Sequence, residues 1–164
     1  MIVSHKPRFI FLTTGKPAGT SVEIALSPLL GPDDIATPIK PEDERLRAPH
    51  GPRNYLRSQG PFGWKRFGRM LPGRLGRLAA EPDHEIDYFN HIRAERVRAW
   101  LGEAVWSSYF KFAFDRNPWD KQVSYYYWAT RDEATRPDFR SFTLEQRRFV
   151  RGWPIYTIDG TIAV

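Results

Sequence analysis

The sequence predicts an α/β fold in which a central parallel sheet is flanked by helices on both faces, giving three layers. Two observations carry this prediction. Arg8–Leu12 is an apolar, β-prone run that passes through a glycine-containing turn into a helix, and Phe110–Phe114 is an alternating aromatic run that passes into a second helix. Strands that lead directly into helices are the units from which parallel sheets are built.

The composition indicates a folded domain with an anionic ligand. Of the 164 residues, 41% are hydrophobic and 15% are aromatic, so we expect one domain spanning 1–164. The absence of cysteine excludes disulfides, thiolate metal sites and cysteine nucleophiles. No segment resembles a signal peptide or a spanning helix, which predicts a cytoplasmic protein without a membrane partner. The net charge of +6 favours an anionic ligand.

The turn after the first strand has the composition of an anion-binding loop. It contains Lys16 and is followed by Gly19 and by two hydroxyl residues, Thr20 and Ser21, which open the helix. This order brings unpaired backbone N–H groups, two hydroxyls and a cation around one point. A phosphate or a sulfate is the ligand that such a point favours.

An irregular segment follows the first helix. That helix should run over 21–26 and end at Pro28 or at the Gly31-Pro32 pair. Residues 32–82 hold most of the prolines and glycines, mixed with arginines and without a helix or strand period, and this predicts a long basic insertion. Such a segment could bind single-stranded nucleic acid, face a substrate, or form a solvated loop, and the sequence leaves these alternatives open.

A further helix is predicted over Asp87–Leu101, because apolar residues including Ala94 and Val97 recur on one face. Gly102 is the expected C-terminal stop. His91 lies near the start of this helix.

The second strand-to-helix junction carries its own helix-start signals. Asn117 is a good N-cap and Pro118 suits the first helical position, while Arg116 places a cation at the mouth of the helix. The helical period then predicts one apolar face formed by Trp119, Val123, Tyr126 and Tyr127.

The last part of the chain predicts a short helix over Phe142–Val150 and a β-hairpin. Its arms are Ile155–Ile158 and Thr161–Val164, and Asp159-Gly160 between them is a strong two-residue turn signal.

The first loop does not fit the P-loop of nucleoside triphosphatases. That motif needs its lysine directly after the second glycine and directly before a hydroxyl residue. Here Lys16 precedes Gly19, and Pro17 follows the lysine. The elements are the same, but their order differs.

Two segments together resemble the sulfotransferases that use 3′-phosphoadenosine 5′-phosphosulfate (PAPS), and most closely the carbohydrate-type branch. The first is Lys16-Pro-Ala-Gly-Thr-Ser21, and the second is Phe112-Ala-Phe-Asp-Arg116-Asn-Pro-Trp-Asp-Lys-Gln-Val-Ser124-Tyr-Tyr. The resemblance covers residues 8–26 and 92–127 well and the insertion poorly. It implies a P-loop-like three-layer fold, PAPS as donor, and a hydroxyl acceptor on a carbohydrate, without a metal and without nucleic acid as partner.

The resemblance also implies a role for each matching residue. The backbone of Ala18, Gly19, Thr20 and Ser21 and the two hydroxyls would hold the 5′-phosphate, and Lys16 would stabilise the charge that develops as the sulfuryl group leaves. The family's 3′-phosphate ligands correspond to Arg116 and Ser124. Arginine suits this role because its fork can grip two phosphate oxygens at once.

Sulfuryl transfer also requires a base that accepts the proton of the acceptor hydroxyl. Several family members carry a histidine at the start of the helix that corresponds to Asp87–Leu101, and this favours His91. Glu85, Asp87 and Glu95 are the carboxylate alternatives.

The sequence departs from the family pattern in three respects. Asp115 stands where an apolar residue is usual, and it could pair with Arg116 or point to the opposite face. Pro17 replaces the common threonine, which removes a hydroxyl ligand. Family members also continue past the C-terminal hairpin, so the C-terminal part of their fold is expected to lie outside this chain.

Two other functions compete with the sulfotransferase hypothesis. An ATP-dependent kinase on the same scaffold would use Asp115 to hold magnesium. A non-catalytic basic module would bind nucleic acid or an acidic glycan through the arginine-rich insertion.

Overall fold

The computed structural model describes residues 1–56, 87–149 and 152–164, and within them four strands form one sheet. The strands are Ile2–Ser4 (β1), Phe9–Leu12 (β2), Ile35–Ala36 (β3) and Phe110–Ala113 (β4). Their order across the sheet is β3-β1-β2-β4. Strands β2 and β4 are parallel, whereas β1 is antiparallel to both of its neighbours. The fold is therefore mixed α/β, and the expected parallel arrangement holds for the β2–β4 pair alone among the described strands.

The mixed sheet arises because the first residues of the chain form a strand. A tight turn over 5–8, in which Arg8 has a φ of 58°, leads β1 back along β2 as an antiparallel partner. The side chains of Ile2 and Val3 are completely buried. Our prediction of a strand at Arg8–Leu12 is confirmed, but it did not include the preceding strand β1, which occupies an inner position of the sheet.

The helices follow in chain order around this sheet. They are Gly19–Leu26 (α1), Pro41–Arg47 (α2), Ala94–Leu101 (α3), Glu103–Ser108 (α4), Pro118–Ala129 (α5) and Trp153–Tyr156 (α6). A 3₁₀ turn covers Ser27–Leu29, a single π-helical turn covers Ser141–Glu145, and a small hairpin is formed by Thr157–Ile158 (β5) and Thr161–Ile162 (β6). Within the described ranges no helix reaches the length and apolar character that crossing a bilayer requires.

The local start and stop signals of the sequence are confirmed. The side chain of Asn117 accepts a hydrogen bond from the backbone N–H of Trp119, 3.0 Å away, as an N-cap does. The turn at Asp159 and Gly160 has positive φ at both positions, 49° and 74°, as a two-residue hairpin turn requires. Gly102 ends α3 as predicted.

Two predicted helices differ from the structure. Helix α3 begins at Ala94 rather than Asp87, because the residues before it are held in a non-helical path in which His91 has a φ of 61°. The helix predicted over Phe142–Val150 is one π-helical turn that ends at Glu145, and Val150 lies outside the described residues.

The insertion predicted as irregular over 32–82 contains β3 and α2 in its described part. Helix α2 has a proline at its first position, acidic residues in its first turn and arginines in its last turn, which are ordinary helix signals. Residues 57–82 of the insertion lie outside the described residues.

Alternate residues of the inner strands face two separate hydrophobic clusters. Val3 and Ile10 belong to the cluster that includes the buried residues of α3, whereas Ile2 and Phe11 belong to the cluster against which α1 packs. This is the two-residue period of a sheet that is buried on both faces. The two clusters fix β2 and the loop that follows it.

The apolar face predicted for α5 is largely solvent-exposed in the described structure. Trp119 is 80% exposed, and Val123 and Tyr127 are also exposed. Helix α5 is held by Tyr125 and Tyr126, whose rings pack against Phe142. Of the four residues predicted to share a buried face, Tyr126 alone packs in this way, so the predicted face is wrong for the other three.

Candidate anion-binding site

The two strand-to-helix junctions lie side by side. Leu12 at the end of β2 is paired with Ala113 at the end of β4, and the two strands are parallel, so the loops leave the same edge of the sheet. The hydroxyl of Thr14 donates a hydrogen bond to the carbonyl oxygen of Phe114 over 2.7 Å, which joins the two loops directly. Helices α1 and α5 therefore both begin at this edge, where ligands of open α/β sheets commonly bind.

The backbone of the first loop has left-handed residues just before helix α1, which starts without a side-chain cap. Lys16 and Ala18 both have positive φ, 72° and 63°. Ala18 is the N-cap of α1 and provides no capping side chain. Because the first N–H groups of a helix have no intrahelical acceptor, they remain available to an anion at this point.

Gly19 is required here by a close approach between the helix and the strand. A Cβ atom at position 19 would lie 2.3 Å from Cγ2 of Thr13, well inside van der Waals contact. Thr13 is itself fixed, because its hydroxyl donates to Oε1 of the buried Glu23 over 2.5 Å. Glycine thus lets α1 begin directly against the end of β2. The two consecutive threonines after the strand were the sequence signal for this support.

The side chains predicted to hold the 5′-phosphate lie around the same turn. Thr20 is half-buried and Ser21 is exposed, and within the described residues neither hydroxyl has a hydrogen-bond partner. Lys16 is half-buried. Burial, followed by repulsion from Lys40 and Arg131, lowers the pKa of Lys16 from its ordinary value.

The second junction presents Arg116 and Ser124. Arg116 is exposed, and its guanidinium has no ion-pair or hydrogen-bond partner within 1–56, 87–149 and 152–164. Ser124 lies in the second turn of α5 and is half-buried. The Asn117 cap fixes the backbone between them.

Asp115 pairs with Lys121 and not with the side chain of Arg116. One carboxylate oxygen forms an ion pair with the buried Lys121, and the other accepts a hydrogen bond from the hydroxyl of Tyr156 over 2.9 Å. Burial alone would raise the pKa of Asp115. The hydrogen bonds from Lys121, from the backbone N–H of Arg116 and from Tyr156 outweigh burial and lower that pKa. Sequence reasoning named neither Lys121 nor Tyr156, and a buried lysine has no local sequence signal.

His91 lies against the first loop. Its Nδ1 atom is 2.9 Å from the carbonyl oxygen of Thr13. A carbonyl can only accept a hydrogen bond, so Nδ1 carries the proton and Nε2 keeps a free lone pair in the neutral ring. The residue is exposed, so that lone pair is open to a ligand.

The carboxylate alternatives for the base are less well placed. Asp87 is buried and has a polar or electrostatic partner of its own. Glu95 is exposed on α3, beside a surface hollow that it lines together with Arg98 and Ile158. Glu85 lies outside the described residues.

The described residues contain no group of three or more histidine, aspartate or glutamate side chains that could hold a metal ion. Comparison of the chain with protein-family models, with curated proteins and with solved structures found no match.

Proposed function

We propose that this chain is a sulfotransferase that transfers a sulfuryl group from PAPS to the hydroxyl of a carbohydrate acceptor, on a P-loop-like three-layer fold. The observation that carries the proposal is the pairing of two strand-to-helix junctions at one sheet edge, joined by the Thr14 to Phe114 hydrogen bond. Each junction contributes a helix N-terminus and a cation, Lys16 or Arg116. A nucleotide with anionic groups at both ends suits such a pair.

The first loop suits the 5′ end of the donor. The uncapped start of α1 offers backbone N–H groups, and Thr20 and Ser21 add two hydroxyl donors. Lys16 adds a positive charge that is not neutralised by a carboxylate of the described residues. Donors that the fold already holds in position stabilise an oxyanion without having to reorganise when its charge develops.

The second junction suits the 3′-phosphate. Asp115 is engaged by Lys121 and Tyr156, so the guanidinium of Arg116 remains free for two phosphate oxygens. Ser124 would add a hydroxyl donor from the same helix. A requirement for a 3′-phosphate is what would distinguish this site from one for ATP.

His91 is the proposed general base. When bound, PAPS supplies a sulfuryl group activated by its bond to a phosphate. Nε2 of His91 accepts the proton of the acceptor hydroxyl as the new oxygen–sulfur bond forms. The bond between sulfur and the bridging oxygen breaks, and Lys16 stabilises the negative charge left on the departing phosphate.

The kinase alternative is less well supported. It needs a carboxylate of Asp115 that is free to hold magnesium, whereas both oxygens of Asp115 already have partners in Lys121 and Tyr156. The basic-module alternative is also less well supported. It gives no role to His91, whose contact with Thr13 sets the tautomer of the ring.

Calorimetry with three nucleotides tests the proposal. We expect 3′-phosphoadenosine 5′-phosphate (PAP) to bind without a metal, and AMP, which differs from it only in lacking the 3′-phosphate, to bind at least about tenfold more weakly, since charged hydrogen bonds of about 1.5–3 kcal/mol are lost. Tight binding of ATP that requires magnesium, with no preference for PAP, would contradict the proposal.

A variant of Arg116 tests the assignment of the 3′-phosphate site. Arg116→Ala should remove the preference for PAP over AMP and leave the affinity for AMP nearly unchanged. Arg8→Ala is the matched control, because Arg8 is an exposed arginine at the opposite end of β2. An unchanged affinity of Arg116→Ala for PAP would show the assignment to be wrong.

A further inference from the structure

Three cations surround one tryptophan beside the first loop. Nζ of Lys16, Nζ of Lys40 and Cζ of Arg131 lie 4.9, 5.4 and 5.0 Å from the centre of the Trp128 ring. We call these four residues the Trp128 cluster. Its members come from three parts of the chain: the loop after β2, the residue before α2, and the last turn of α5 with the residues that follow it. The fold therefore brings together charges that are distant in the sequence.

The positive charge of the Trp128 cluster is only weakly compensated. Lys40 lies 4.0 Å from Glu42, and Arg131 lies 3.2 Å from Asp132, and both pairs are exposed. Exposed ion pairs of this kind contribute little and are screened by salt. Lys16 has no carboxylate partner among the described residues.

The cluster is also open to a ligand. Trp128 remains 42% exposed although three cations approach its ring. Repulsion from Lys40 and Arg131 contributes to the lowered pKa of Lys16, after burial. Like charges held this close are unfavourable by themselves, and a bound anion would reverse that effect.

We infer that the Trp128 cluster is a second anion site, and that it binds an acidic group carried by the acceptor. The acceptor is then a hydroxyl compound that bears its own carboxylate, sulfate or phosphate. This inference rests on the proposed function. The donor's two anionic ends already have ligands in the loop backbone and in Arg116, so Lys40 and Arg131 are left over for another molecule.

Charge explains why such a site would be useful. The transferred sulfuryl group is anionic, and bringing it to an acceptor that is also anionic is opposed by repulsion. Lys16 belongs both to the donor loop and to the Trp128 cluster. Lys40 and Arg131 add two further positive charges beside that lysine, and these would attract an acidic acceptor.

Two saccharides that differ only in charge test the inference. Short dextran sulfate and unmodified dextran of the same length are titrated against the protein, with PAP as a separate ligand. Dextran sulfate should bind and dextran should not. The variant Lys40→Gln/Arg131→Gln should lower the affinity for dextran sulfate at least about tenfold. It should change the affinity for PAP by less than about twofold.

The matched control is Lys6→Gln/Arg8→Gln. It removes the same two charges from exposed positions at the opposite end of β2. It should leave dextran sulfate binding within about twofold of the unmodified protein, because these two charges are not part of the Trp128 cluster and salt screens exposed charges.

The possible contrary results separate this inference from the proposed function. If PAP binds but dextran sulfate binds no better than dextran, the inference fails and the proposed function stands. If the Lys40→Gln/Arg131→Gln variant loses PAP as strongly as dextran sulfate, the cluster belongs to the donor site and the inference is wrong. If PAP does not bind at all, the proposed function fails, and with it the acceptor assignment. Binding of a single-stranded oligonucleotide through Lys40 and Arg131 without dextran sulfate binding would assign the cluster to nucleic acid instead.

Discussion

Nδ1 of His91 and the carbonyl oxygen of Thr13 lie 2.9 Å apart, although 78 positions separate the two residues in the chain. The contact sets the tautomer of the ring and fixes its position at the start of the loop after β2. It also depends on the left-handed backbone at His91, where φ is 61°. A residue that replaces His91 in order to test the role of the ring must therefore tolerate a positive φ.

His91→Asn is the variant best suited to test the base. Asparagine tolerates a positive φ and can still donate a hydrogen bond to Thr13, but it has no lone pair that accepts a proton at neutral pH. We expect kcat for sulfuryl transfer from PAPS to dextran sulfate to fall about 100- to 10,000-fold, as loss of a general base does, while the affinity for PAP changes little.

His50→Asn is the matched control and should retain full kcat. His50 lies in the turn that follows α2, and its backbone N–H donates to the carbonyl of Arg47. Equal activity of His91→Asn and the unmodified protein would show that His91 is not the base. The carboxylates Glu85, Asp87 and Glu95 would then be the remaining candidates.

Gly19→Ala should distort the first loop. The added Cβ would meet Cγ2 of Thr13 at 2.3 Å, and overpacking of this kind costs about 1–3 kcal/mol of unfolding free energy. Thr13→Ser removes the obstructing methyl group and keeps the hydroxyl that donates to Glu23. The double variant should therefore recover both stability in urea and affinity for PAP.

Gly51→Ala serves as the control for that series, because no atom lies within 4 Å of a Cβ at position 51. It should have nearly the stability of the unmodified protein. Simple additivity of Gly19→Ala and Thr13→Ser in the double variant would refute the steric explanation.

Asp115→Asn should reduce stability at neutral pH and not in acid. The folded-state pKa of Asp115 is lowered, so its carboxylate stabilises the fold above the pKa of the unfolded chain, and this contribution is lost as the pH falls through the folded-state pKa. The variant leaves the buried ammonium of Lys121 without its carboxylate. We expect a loss of about 1–3 kcal/mol near pH 7, reduced from the value for a fully buried pair because Asp115 is partly exposed.

The measurement is urea unfolding at a series of pH values. Asp33→Asn is the control, since Asp33 is exposed and should give curves like those of the unmodified protein. A stability difference for Asp115→Asn that persists undiminished at low pH would contradict the ion-pair explanation.

Lys40→Gln should raise the pKa of Lys16. Burial is the larger cause of the lowered value and remains in the variant, so the pKa should stay below that of an exposed lysine. Titration of the Lys16 side chain by heteronuclear NMR gives the direction of the change. Lys6→Gln should leave that titration unaltered, and an unchanged or lower pKa in Lys40→Gln would show that the two ammonium groups do not interact.

Features encoded by neighbouring residues could be predicted from the sequence. The Asn117 cap and the Asp159-Gly160 turn depend on one or two residues each, and both are confirmed. Strands β2 and β4 were predicted because their apolar runs are bounded by turn residues. The positions of the two junctions follow from these local signals.

Features made by distant residues could not be predicted. The pairing of β1 inside the sheet depends on β3, which has only two residues and no strand pattern. Tyr156 reaches Asp115 across 41 positions, and no sequence period relates them. The same holds for the Trp128 cluster, since nothing in the sequence around Lys40 indicates that it approaches Trp128.

The hydrogen bond from Thr14 to the carbonyl of Phe114 also fixes the distance between the two loops. It ties the two loops together at the spacing of neighbouring strands, about 4.8 Å, so neither loop can shift along the edge without the other. If the two loops hold the two ends of one nucleotide, as proposed, the sheet and not the ligand sets the distance between those ends. We then expect a nucleotide with differently spaced anionic groups to engage only one of the two loops.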